Sequence, residues 1–145
     1  MSIITAASRP SVFRGLDYFE EKKVLSWSQI DDFKYEGYVS GSGKEPYFVT
    51  IDIEHPKRSV CNCPHAKGTR RVCKHKVALF FTVFPKEAED FRKAIEEEKR
   101  RKEEEEEQLY DDIENYVNGL SVEQLRIQLI NFMIELEEQD DDLWE

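Results

Sequence analysis

The sequence predicts an α+β protein: a small antiparallel β-meander, a metal-binding segment closed by an apolar helix, then a charged helix and an αα-hairpin tail. Three observations carry this. Residues 24–53 alternate apolar and polar positions between short turn signals. Three cysteines and a histidine crowd into residues 61–75. After His75 the apolar period becomes helical and stays so almost to the chain end.

Residues 1–10, ending at Arg9-Pro10, are expected to be a disordered N-terminus. Ser11 to Lys23 carries Leu16, Tyr18 and Phe19 among charges, a short helical pattern. Val24 to Ile30 then reads as a strand, with Asp31-Asp32 as a tight turn. Phe33, Tyr35, Tyr38 and Val39 form a second strand, in which Gly37 suits a bulge. After the turn signal Gly41-Ser42-Gly43, Tyr47, Val49, Ile51 and Ile53 alternate with Phe48, Thr50, Asp52 and Glu54, giving a third strand. Val77 to Phe84 is apolar nearly all round, so it should be a buried central helix that Pro85 ends or resets.

The tail reads differently. Glu96 to Gln108 is an unbroken polar stretch, about 20 Å of helix at 1.5 Å per residue. Glu96, Glu97 and Glu98 each precede a base by four positions, which supports a solvated spacer helix over 85–108. Leu109, Ile113, Tyr116, Val117 and Leu120 then restore apolar spacing, and Gly119 suits a helix C-terminus. Ser121 with Gln124 forms a capping-box start for a second helix, whose Leu125, Leu129, Phe132, Met133 and Leu136 repeat the offsets. These two helices are expected to pair as a hairpin over 109–138, followed by an acidic tail at 139–145. Ile127, Ile130 and Ile134 form a second apolar face, more than one partner helix can cover. The abrupt end at Leu143-Trp144-Glu145 is compatible with a fragment of a longer chain.

At 145 residues there is room for one domain, or a small domain with an appendage. Charged residues make up 36% of the chain against roughly 25% in an average soluble protein, so part of the surface is expected never to pack. Without a long apolar run or a basic-then-apolar leader, the expected compartment is cytoplasmic, with no membrane partner. The net charge of −10 hides an asymmetry. Residues 1–86 hold 14 bases against 9 acids, and residues 87–145 hold 7 against 22. Such a split suggests a basic binding face and an acidic tail.

An odd number of cysteines within thirteen positions is not a secreted disulfide framework. It points to metal. Zinc favours thiolate and imidazole, and structural sites take four such ligands tetrahedrally. Cys61 and Cys63, two apart on an extended segment, point to one face. Cys73 and His75 open the apolar helix, where the N-terminal partial charge favours a thiolate. The metal ligands are therefore Cys61, Cys63, Cys73 and His75, with Zn2+ as the cofactor and His65 as the rival fourth ligand. His55, before Pro56, reads as a surface residue at a strand end.

The spacing C-x-C-x9-C-x-H resembles that of the SWIM zinc finger. The neighbouring Arg14-Gly15 with Tyr18-Phe19, Val39 with Gly41-Ser42 before Tyr47, Cys63-Pro64, and Ala78 after Cys73-Lys74-His75 are similar to family positions too. The resemblance spans residues 11–84 and implies a small sheet with a zinc-bound β-β-α unit that binds DNA or protein. SWIM modules accompany Swi/Snf-type helicases, Mutator-type transposases and MEK kinases. None of those catalytic domains is visible here, so the resemblance transfers no activity.

Between His55 and Lys76 stand Lys57, Arg58, Lys67, Arg70, Arg71, Lys74 and Lys76, with no acid among them. Such a patch suits phosphate and gives affinity without base readout. The expected function is a zinc-stabilised module binding nucleic acid, DNA foremost and without sequence specificity. The alternative is a protein-interaction module, with a protein partner or self-association through the C-terminal helices. No nucleophile–base pair or phosphate-cradling glycine loop is present, so neither an enzyme nor a small-molecule substrate is expected.

Overall fold

The computed structural model describes residues 2–142, so the chain-terminal Leu143-Trp144-Glu145 of the acidic tail lies outside the described residues. Contacts divide the chain into two compact units, Met1–Ala94 and Ile95–Glu145. The first unit holds helices α1 (Ile3–Ala6), α2 (Arg9–Glu20) and α3 (Lys74–Val83), and strands β1 (Val24–Asp31), β2 (Lys34–Val39), β3 (Tyr47–Asp52) and β4 (Val60–Cys61). Helix α4 (Pro85–Asn118) begins in it, and the second unit holds the rest of α4 with α5 (Val122–Asp142).

The N-terminus corrects the expectation of disorder. Ser2 and Thr5 cap α1 reciprocally, Ile3 is wholly buried, and α1 packs on α3. Ser8 caps α2, whose first turn accepts Pro10 because no intrahelical bond needs its missing N–H. The four residues of α1 are too few to show a period, so only packing reveals that helix. At the other end of α2, Lys22 takes a left-handed φ of 57° and turns the chain into β1.

The sheet is antiparallel in the order β1-β2-β3-β4. The meander of three strands is present, and β4 joins its edge through the pairs Val49↔Cys61 and Thr50↔Val60. Two residues are too short for alternation to be visible, which is why the sequence shows no fourth strand. Gly37 is not a bulge. It sits in regular register between Trp27 and Val49, while the irregularities of β1 fall at Val24/Ser26 and Gln29/Asp31. Its lack of a side chain serves β1 first and α3 second: a Cβ there would lie 2.5 Å from the Ser26 carbonyl oxygen and 3.1 Å from Leu79 Cδ1.

Helix α3 is the centrepiece that its all-round apolar sequence requires, with Val77, Ala78, Leu79 and Phe81 wholly buried. The sheet covers one side and α2 the other. Gly15 lets α2 come close, because a Cβ there would lie 2.4 Å from Val77 Cγ1. Pro85 resets the helix rather than ending it: α3 stops at Phe84, and α4 starts on Pro85. The first turns of α4 belong to the core. Ala88 is buried, Phe91 stands against Phe13 and Phe81 at 5.7 and 5.9 Å between ring centroids, and Arg92 pairs with Glu20.

Beyond Ala94 the ion pairs of α4 run along the helix, Glu98 to Lys102 and Arg100 to Glu97 and Glu104, as a solvated spacer requires. Ser121 and Gln124 form the expected capping box at the start of α5. The hairpin itself needs correction. The two helices are joined by a tight turn, but their apolar faces do not pack on each other. From Leu109 to Leu136, every apolar side chain except Leu120 and Leu125 is at least 39% exposed. Matching apolar periods show that each helix has a face to bury, not which surface buries it.

Candidate metal centre

A strand, a loop and a helix N-terminus deliver the four ligands. Cys61 ends β4, and Cys63 lies two residues on, held level with β3 because Asn62 accepts the Phe48 N–H through Oδ1 and donates its own N–H to the Phe48 carbonyl. The Cys63 carbonyl accepts from Ala66 and Lys67 N–H, and the loop turns over at Gly68 with a left-handed φ of 72°. Cys73 is the N-cap of α3, and His75 sits in the first turn.

All four side chains are buried, and their ligand atoms lie within 4.8 Å of one another. His75 Nδ1 is 3.8 Å from both Cys61 Sγ and Cys73 Sγ. A tetrahedral zinc with bonds of about 2.3 Å to sulfur and 2.0 Å to nitrogen sets such edges at about 3.6 Å, so the cage has the right size. Three soft thiols and one imidazole are also the donor set zinc prefers. The residues fit the ion. When bound, zinc would link strand, loop and helix, and four protein ligands would complete its tetrahedron.

The electrostatics are prepared for it. Cys73 is pulled down to about 3, chiefly by the hydrogen bond from Cys61, with help from His75 and the Lys76 N–H. Cys61 is pushed up by the same bond and by burial. Metal binding would take thiolates, so it would release the protons these cysteines hold. His75 is clamped between the rings of Tyr47 and Tyr18, at 4.8 and 5.5 Å between centroids. Its Nε2 is buried without a hydrogen-bond partner. With the proton on Nε2, the Nδ1 lone pair faces the thiolates, as ligation requires. Gly41 makes room for this clamp, since a Cβ there would lie 2.3 Å from the Tyr47 ring.

His65 is exposed and lines a different cavity with Arg71, Val72 and Ser8, so the fourth ligand is His75. His55 is a surface residue whose N–H donates to Asp52 Oδ1. The basic candidates separate into classes. Lys57, Arg58, Lys67, Arg70 and Arg71 are exposed. Lys74 is half-buried with its Nζ 4.7 Å from the centre of the Tyr18 ring. Lys76 must be removed from the patch altogether. It is wholly buried, its Nζ donates to the Arg71 carbonyl at 2.6 Å, and burial pulls its pKa down while the three cysteine sulfurs pull it back up. A zinc ion with three thiolates would carry a formal charge of −1, which the buried Lys76 would offset inside the fold.

A buried Cys3His cage built from a strand, a loop and a helix N-terminus defines a zinc-finger module. Residues 47–84 match the family model of the SWIM zinc finger, and the four clustered residues fit its C-x-C-x9-C-x-H pattern. Neither the curated proteins nor the solved structures yielded a match to the chain. Among the described residues no helix is long and apolar enough to cross a membrane.

Proposed function

We propose that this zinc module binds nucleic acid through its phosphates, without base readout, and that the metal holds the binding surface in shape rather than taking part in chemistry. One observation supports this most. Lys57 and Arg58, from the turn before β4, and Arg70, from the ligand loop, line one open concavity of about 320 Å³. Three cations on two segments that the zinc ties together would supply three phosphate contacts. Lys67 and Arg71 extend the exposed charge. Glu54 also lines the concavity and works against anions, which keeps the expected affinity modest. Full coordination by protein ligands favours a structural metal, and a binding role over an enzymatic one.

The test is anisotropy of a short labelled duplex of random sequence with the zinc-loaded full chain, across a salt series. Replacing Lys57, Arg58 and Arg70 by Ala should remove most of the affinity and flatten the slope of log K against log salt by roughly 2–3. Zinc content should be unchanged. A parent that fails to bind at low salt, or a triple variant that binds like the parent, contradicts the reading. A second reading, a protein-interaction module, draws on the exposed apolar faces of α4 and α5.

A further inference from the structure

We infer that the segment from Ile95 to Asp142 is a self-association element, and that a second copy of this chain covers its apolar faces. The starting point is the amount of greasy surface left in water. Tyr116, Leu129, Phe132 and Met133 are each more than half exposed, and they stand for the whole stretch from Leu109 to Leu136. A side chain of that size at that exposure leaves on the order of 100 Å² of apolar surface in contact with solvent. The stretch therefore offers roughly 1,000 Å² per copy, above the about 800 Å² per partner of a stable interface. Exposed apolar surface on this scale marks an interaction site.

The two helices cannot solve this within one chain. On α5, Leu125, Leu129, Phe132 and Leu136 form one apolar face, and Ile127, Ile130 and Ile134 form another. A single neighbouring helix covers one face. Two copies bring together four helices, enough for a bundle in which each helix has two neighbours.

Sedimentation equilibrium of the zinc-loaded full chain tests this. The expected mass is twice 17.2 kDa, falling towards the monomer on dilution, with helicity falling in step. Phe132→Asp should weaken association about a hundredfold, because a carboxylate would enter the apolar interface unpaired. Phe132→Leu should remain dimeric, and zinc content in both variants reports that the first unit is intact. A parent that is monomeric throughout, with concentration-independent helicity, overturns the proposal and leaves these faces to a different protein. So does a Phe132→Asp chain that associates as tightly as the parent.

Discussion

The two units of this chain carry similar apolar periods and use them in opposite ways. In α3, Val77, Leu79 and Phe81 are wholly buried between the sheet and α2. In α5, Leu129, Phe132 and Met133 follow the same helical logic yet face solvent. The difference lies in what surrounds each helix. The first unit has a sheet, a second helix and a metal cage converging on one element. The second has two helices whose polar stretch and tight turn leave nothing to converge. An apolar helical stripe therefore states a need for burial, and the rest of the chain decides whether that need is met internally.

The largest effect expected from breaking this contrast is at the metal. Cys73→Ser removes a ligand and the thiolate at the N-terminus of α3, so the zinc should be lost. Structural zinc contributes on the order of 10 kcal/mol to small modules, so the sheet and α3 should lose their cooperative thermal transition while α4 and α5 keep their helical signal. A zinc-free variant that melts like the parent would show that the first unit does not depend on its metal.

A smaller effect is expected where α2 meets α3. Gly15→Val places a side chain where Val77 already stands, and overpacking of this kind costs about 1–3 kcal/mol. Thermal melts should show a lower midpoint with zinc still bound. An unchanged midpoint would mean the two helices can separate freely, and the tight packing that distinguishes the first unit from the second would be in doubt.

Much of this was legible in the residues. The third strand was readable because Tyr47 to Glu54 alternates without interruption, and α3 because no polar face breaks it. The ligands were readable because thiol and imidazole at that spacing have few other uses. The features that stayed hidden share a physical cause, since each depends on contacts between distant segments. The N-terminus is ordered by packing on α3 and on the turn before β4, β4 exists because β3 offers an edge, and Gly37 is explained by the Ser26 carbonyl of β1 and by Leu79 rather than by its own strand. Lys76 belongs with them. As a base among bases it reads as surface charge, and only the direction of α3 turns it inward towards the thiolates.

A closed Cys3His zinc centre that holds strand, loop and helix together has a direct signature in X-ray absorption at the zinc edge of the full chain. One zinc per chain is expected, with three sulfur neighbours at about 2.3 Å, one nitrogen at about 2.0 Å, and no oxygen ligand. His65→Ala should leave that spectrum unchanged, and His75→Ala should replace the nitrogen shell or lose the metal. An oxygen bound to the metal in the parent, fewer than three sulfurs, or a spectrum altered by His65→Ala instead would mean that Cys61, Cys63, Cys73 and His75 do not form a closed zinc centre.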